Sequence, residues 1–448
     1  LKKKLILIFV FALSVFKVNA ATYADMFNIV FKNRLYYSSY IFVKKSIATK
    51  ESLNKKAVYK VLDTIHPSVY IHDQELDKFV NLDSPLNYAV GMRRFFLNDF
   101  LTAKRKLYKI KSNHPMYIES NYLLGLIYLT EQKQKRASAH FKRCVKYASK
   151  KRKSNLKNES YIHTFRNRCI QQIARIEFTK KNYKSTLRIL DYVKKDDYIW
   201  PRFLIDRAWS YYWLGENERA LGSVMTYKAP LLRRFMVPEA NYLRGLIYYE
   251  MCYFEKAENI YKEFNQTTWK FRKVAQTASR NRLLKLIMLK NPPKSDANKF
   301  LYYYLKGFKK DIRYFSFRES RKQLYIEIKR LSRVKSLKQA RIFLDTLYFY
   351  NKVIKEDFQD FLKNLSLDYY RQIRQMRNAF VKLNLMVSLK KRKKISKENS
   401  DKFSDEYAEV SLNDIENVDD KFIWDFRGGF WADELGDYAV ALKNRCNK

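Results

Sequence analysis

The 448-residue chain is long enough for two or three globular domains or for one continuous helical array, and its composition favours the array. Nine Gly and eight Pro are too few for a loop-rich or fibrous protein, and 47% hydrophobic with 16% aromatic residues excludes a disordered one. A formal charge of +45 admits anionic partners, nucleic acid included, on electrostatics alone.

In chain order, residues 1–20 read as a signal peptide. Lys2, Lys3 and Lys4 precede an apolar run from Leu5 to Val15, and Val18-Asn19-Ala20 offers the small residues that a signal peptidase reads. Cleavage after Ala20 predicts a periplasmic chain. An uncleaved anchor is the alternative, disfavoured by the short apolar run. Leu1 fits a start codon other than ATG, and no cysteine follows the run to carry a lipid. No later stretch approaches about 18 uncharged apolar residues, so no membrane span is expected after cleavage.

Residues 21–83 read as an N-terminal helical cap, with loop signals at His66-Pro67 and Ser84-Pro85. Residues 84–264 carry an internal repeat. Asn121 to Tyr128 reads NYLLGLIY and Asn241 to Tyr248 reads NYLRGLIY, differing at one position across 120 residues. Around them Gly125, Tyr128, Ala137 and Phe141 match Gly245, Tyr248, Ala257 and Tyr261. Weaker copies have Gly91 with Ala103 and Ala174 with Thr186, and a clearer one has Ala208 with Tyr211, Gly215 and Ala220. The first small residues fall at 91, 125, 174, 208 and 245, at intervals of 34, 49, 34 and 37. The long interval predicts an insertion near 149–159. This spacing resembles the tetratricopeptide repeat (TPR), a helix-turn-helix unit of roughly 34 residues. In that reading the small helix-A residue admits helix B of its own repeat, and the aromatics fill gaps to the neighbouring repeat.

Residues 265–395 form a long-helix region, with degenerate helices interrupted at Pro292-Pro293 and neither Gly nor Pro from Phe308 to Arg427. Phe358, Leu362, Leu365, Tyr369, Met376, Phe380, Leu383 and Val387 step by three and four with one gap of seven. That seam suits a helix packed on the solenoid, which is preferred, or an intermolecular coiled coil. The run Lys390 to Lys394 leads into an acidic linker over 396–421. The segment 422–448 then crowds Phe422, Trp424, Phe426, Phe430 and Trp431 around Gly428-Gly429. The preferred expectation is that this segment folds back as a cap, the alternative being an exposed docking peptide. The fold expected is therefore all-α, a TPR-type helical solenoid followed by long helices and a short C-terminal capping segment.

Four cysteines, Cys144, Cys169, Cys252 and Cys446, permit two disulfides in an oxidising compartment, in any of three connectivities, or four thiols. If the tail folds back, Cys446 would reach Cys252 in the turn of the last clear repeat, and Cys144 would pair with Cys169 across the insertion. Catalysis is not expected: no phosphate-binding loop, dinucleotide fingerprint, metalloprotease or nucleophile-elbow motif occurs. His66 and His72 lie near Asp73 and Glu75, but six residues apart they leave one helical face, so a metal site is disfavoured, and no cofactor is expected.

The signal peptide, NYLRGLIYYEMCYFEKA and WDFRGGFWADELGDY together resemble a group of periplasmic TPR proteins of gliding and predatory deltaproteobacteria, which includes envelope components of gliding-motility machinery. The resemblance implies a scaffold binding envelope proteins. Helix A commonly lines the groove in TPR arrays, so Asn121, Tyr122, Asn241, Tyr242 and Arg244 are the candidate groove residues. The spread of basic residues along the chain and the signal peptide disfavour nucleic acid. A cationic surface for anionic lipid or glycan is the alternative function, set against a merely solvated surface.

Overall fold

The computed structural model describes residues 22–150, 159–195, 197, 199–232, 237–334, 338–398, 430, 434–442 and 444–446. The signal-peptide reading, most of the insertion, most of the acidic linker, and Phe422, Trp424, Phe426 and Trp431 lie outside them. Among the described residues the fold is all-α, with no strand. The helices are α1 (Tyr23–Lys32), α2 (Tyr36–Ala48), α3 (Lys55–Thr64), α4 (Pro67–His72), α5 (Asn87–Phe96), α6 (Phe100–Leu107), α7 (Tyr117–Thr130), α8 (Gln134–Lys150) and α9 (Glu159–Thr179). They continue as α10 (Tyr183–Leu190), α11 (Leu204–Trp213), α12 (Asn217–Met225), α13 (Pro238–Glu250), α14 (Phe254–Thr277), α15 (Arg280–Met288), α16 (Asp296–Lys306), α17 (Ile312–Leu331) and α18 (Lys338–Glu398). The chain divides into two compact units, one of Leu1–Ile176 with Lys310–Phe361, the other of Glu177–Lys309 with Leu362–Lys448.

The repeat is visible in the backbone of its turns. Asn98, Gln132, Lys181, Gly215 and Cys252 all have φ between 59° and 80°. Each lies seven residues after one of the small residues at 91, 125, 174, 208 and 245. In each turn the next amide reaches back five residues to a helix carbonyl, as in Asp99 to Arg94 (2.9 Å) and Tyr253 to Tyr248 (2.8 Å). This αL closure satisfies the orphan carbonyls of helix A and reverses the chain into helix B. The hairpins α5/α6 and α7/α8 stack in the first unit, and α11/α12 and α13/α14 in the second.

The small positions face close neighbours. Ala103, Ala137, Ala174, Ala208, Ala220 and Ala257 are buried. A Cβ at Gly91 would lie 2.9 Å from Leu107, and one at Gly125 would overlap the Phe141 ring, so both admit helix B of their own hairpin as expected. Gly245 departs from that expectation. Its nearest side chains are Phe380 (3.0 Å) and Leu383 (3.3 Å) of α18. There the slot receives a ring from the long helix instead.

In the first unit α2 begins without a cap from its own neighbourhood. Glu327 of α17, buried, supplies it: Tyr37 N–H (3.1 Å), Ser38 N–H (3.0 Å) and Ser38 Oγ (3.0 Å) donate to its carboxylate. A carboxylate at this end also opposes the positive pole of the helix dipole. Burial nonetheless pushes the Glu327 carboxyl up to about 7. The start of α18 packs here through Tyr350 against Tyr37 and Tyr40, and Phe358 stacks on Phe317 at 4.0 Å.

In the second unit the rest of α18 lies on the repeat helices. Leu362, Tyr369, Phe380, Leu383 and Val387 are buried, as is Phe358 in the first unit, while Leu365 and Met376 are half-buried. Ile373, also buried, bridges the gap of seven in the seam. The seam therefore packs against the chain's own helices.

The cysteines form Cys144–Cys169 and Cys252–Cys446. His66 caps α4 by accepting the Ser68 N–H at 3.2 Å, and His72 pairs with Asp357 at 2.8 Å. Among the described residues no group of three or more His, Cys, Asp or Glu is placed to hold a metal ion.

Candidate functional site

The five groove candidates are mostly engaged within the chain. Asn121 is 3% exposed, with Nδ2 donating to the Tyr117 carbonyl (2.9 Å) and Oδ1 against His140 Nδ1 (3.0 Å). The Tyr122 ring packs on Phe141 and Phe165. Arg244 is 5% exposed and pairs with Glu263 at 2.6 Å. Tyr242 meets the edge of Phe380 at 5.6 Å, and Asn241 is half-buried. Asn121 and Arg244 are therefore buried rather than open to a groove, and each meets a polar partner inside the repeats. Of the repeat-packing aromatics, Tyr128 is buried and stacked on His140, with its hydroxyl 2.8 Å from Tyr108 of the preceding hairpin. Tyr211 and Tyr248 are half-buried.

A different strip of the second unit holds a peptide, and the peptide is the chain's own tail. Helices α11, α12 and α13 share an apolar cluster including Ala208, Ala220, Leu221, Val224, Leu243, Ile247 and Met251. Residues 434–442 and 444–446 cross it. Leu435 is buried, and the Gly436 N–H donates to Thr226 Oγ1 (3.2 Å) beside Trp200 and Leu204. The Asp437 carboxylate meets Lys195 Nζ at 2.6 Å and the Arg207 guanidinium at 3.5 Å. From Tyr438 to Leu442 burial alternates: Tyr438, Val440 and Leu442 are half-buried, Ala439 and Ala441 exposed. That is the period of an extended strand with one face on the protein.

Two backbone hydrogen bonds fix its register. Val440 N–H donates to the Glu218 carbonyl (3.1 Å), and Arg445 N–H to the Met251 carbonyl (3.2 Å), both carbonyls near helix ends. Val440 and Leu442 pack on the apolar cluster. Arg445 lies over the Tyr253 ring at 4.5 Å, and Cys446 is bonded to Cys252 in the left-handed turn. Gly222, inside α12, makes the crossing feasible, because a Cβ there would overlap the Tyr438 carbonyl. The arrangement binds an extended segment through one carboxylate, alternate apolar side chains and main-chain bonds, the chemistry of peptide recognition.

Cys252 and Cys446, expected to meet if the tail folds back, are bonded at the end of this strip. Gly222, Thr226, Trp200, Lys195 and Arg207 were missed. The available signal was Gly222 itself, a glycine inside a helical run at a position the repeat does not require. No described helix is long and apolar enough to cross a membrane.

No known protein family matches the sequence, and no curated protein does. Among solved structures the chain is similar to the crystal structure of the apo form of RapI, at 12% identity and a TM-score of 0.37. The likeness covers 75% of this chain and 98% of that one, and it is too loose to bear on function.

Proposed function

We propose that this chain is a periplasmic helical-repeat scaffold that holds protein segments within a bacterial envelope complex. The observation that carries the reading is the docked tail: the α11–α13 face already grips an extended segment by charge, backbone and alternate side chains. Two disulfides support an oxidising compartment, in agreement with the signal-peptide reading of residues 1–20. The gliding-motility setting rests on the resemblance of NYLRGLIYYEMCYFEKA and WDFRGGFWADELGDY alone. The proposal includes no catalysis and no cofactor.

The test is recovery of the chain from a periplasmic fraction, with its intact mass taken before and after reduction, followed by crosslinking. The expected chain begins at Ala21, gains about four daltons on reduction, and crosslinks to envelope proteins. A full-length, reduced chain confined to the cytoplasm would overturn the proposal. The net charge of +45 supports a second reading, a cationic binder of anionic lipid or glycan. Cosedimentation with anionic vesicles that falls steeply between low and high salt, with no protein crosslinks, would favour it.

A further inference from the structure

The two disulfides have opposite surroundings. Cys144 and Cys169 are both 0% exposed inside the first unit. Cys446 is exposed and Cys252 half-buried, at the very end of the docked tail. The other described contacts of residues 434–442 and 444–446 are non-covalent: the ion pairs of Asp437 with Lys195 and Arg207, a few hydrogen bonds, the buried Leu435, Arg445 over Tyr253, and two aliphatic side chains on the cluster. Gly222 is shaped for a crossing backbone and for nothing in α12 itself, since Gly inside a helix costs stability relative to Ala.

We propose that the tail is a latched, removable occupant of this cradle. Reduction of Cys252–Cys446 frees the cradle for a segment of another protein that carries a carboxylate followed by apolar side chains at alternate positions. This rests on the scaffold reading and names both its partner chemistry and its control. The pattern comes from the tail's own contacts: Asp437 between Lys195 and Arg207, then Tyr438, Val440 and Leu442 at alternate positions. A dithiol supplies the reducing equivalents. One of its thiolates attacks Cys446 Sγ, the Cys252 thiolate leaves, and a mixed disulfide forms. The second thiol then displaces Cys446, so the dithiol ends as a disulfide and the protein gains two electrons and two protons. The buried pair is inaccessible to the same attack.

The experiment uses the full chain and a fluorescent peptide of the sequence Glu434 to Arg445, followed by anisotropy. The oxidised chain is expected not to bind it. After mild dithiol treatment, alkylation should mark two cysteines rather than four, and the peptide should bind. Its own tail, still tethered, competes at high effective concentration, so binding here is weaker. A chain carrying Val440→Asp, Leu442→Asp and Cys446→Ser, whose tail no longer fits, should bind at least tenfold tighter than the reduced wild type. Adding Gly222→Ala to that chain should abolish binding while the helix content, read by circular dichroism, is retained.

Equal binding to oxidised and reduced chains, or no binding to the vacated cradle, would overturn the inference. So would a disulfide-linked dimer on reoxidation, which would assign the cradle to the tail of a second copy. If envelope crosslinks persist while the peptide fails, the cradle inference falls and the scaffold reading stands.

Discussion

The two near-identical octapeptides, NYLLGLIY in α7 and NYLRGLIY in α13, meet different surroundings. In α7 the glycine faces Phe141 of its own hairpin, and Asn121 is bonded to His140. In α13 the glycine faces Phe380, far along the chain in α18, and the residue matching His140 is Ile260. The substitution of Leu124 by Arg244 brings a buried guanidinium that Glu263 neutralises. A repeat motif thus dictates the hairpin and its turn, whereas the ring against its glycine comes from the hairpin itself in α7/α8 and from a distant helix in α13/α14.

The largest effects should come from removing the rings that face the two glycines. Phe141→Ala and Phe380→Ala should each cost about 3–5 kcal/mol, because each deletes a fully buried ring. They should differ in where the loss appears. Native-state hydrogen exchange should accelerate in α7 and α8 for the first, and in α13 and the 362–398 part of α18 for the second. Loss of protection in α7 on Phe380→Ala would refute the separate covers.

Next in size is the glycine pair. Gly125→Ala places a methyl in overlap with the Phe141 ring and should destabilise by about 1–3 kcal/mol. Gly245→Ala meets Phe380 at 3.0 Å, and the helix propensity gained, about 1 kcal/mol, should nearly offset the crowding. Urea denaturation of both variants measures the difference, and equal losses would show that the two slots are alike.

How much of this was legible depends on the range of the interaction. The hairpins were, because small residues and aromatics at fixed spacing leave a local record. So were the seam of α18 and the cysteine pairs, although Ile373 was needed to close the gap in the seam. Glu327 capping α2 across 289 residues left no local mark, nor did Gly222 receiving the Tyr438 carbonyl. The burial of Asn121 and Arg244 was equally illegible, because their partners His140 and Glu263 stand 19 residues away on the following helix.

Acid titration sharpens the comparison further, since only the α7/α8 hairpin has a histidine at this position. Asn121 uses Nδ2 on the Tyr117 carbonyl, so its Oδ1 must accept from His140 Nδ1–H, and Nε2 is left to face Tyr108. Burial, with the nearby Arg143, lowers the His140 pKa from 6.5 to about 4. The unfolded chain therefore takes up a proton first, and the stability due to the neutral ring is present above pH 6.5 and lost as pH falls towards 4. Glu327 acts with the opposite sign. Its raised pKa gives a contribution that is full below about 4.5 and lost as pH rises through 7. His140→Ile, copying Ile260, should flatten the stability profile on the acid side, while Glu327→Gln should flatten it near neutrality. His140→Ile should also cost about 1–3 kcal/mol at pH 8, because Asn121 Oδ1 loses its donor. An unchanged acid slope in His140→Ile would rule out this account.

The smallest expected effect tests the feature all five turns share. Gln132 and Lys181 adopt φ near 60°, where a Cβ crowds the following carbonyl, yet Gly215 alone of the five is a glycine. Gln132→Gly and Lys181→Gly relieve that strain but loosen the unfolded chain, leaving a net gain of about 0.5 kcal/mol. Asn98→Gly should gain less, because Asn tolerates this conformation better than Gln or Lys. Gly215→Ala meets no side chain, so its loss, about 1 kcal/mol, would report backbone strain alone. The shared turn predicts this order in a single series of melting temperatures. If Gln132→Gly and Lys181→Gly instead destabilise, their side chains contribute more than the backbone, and each hairpin would owe its reversal to local contacts and not to a common left-handed turn.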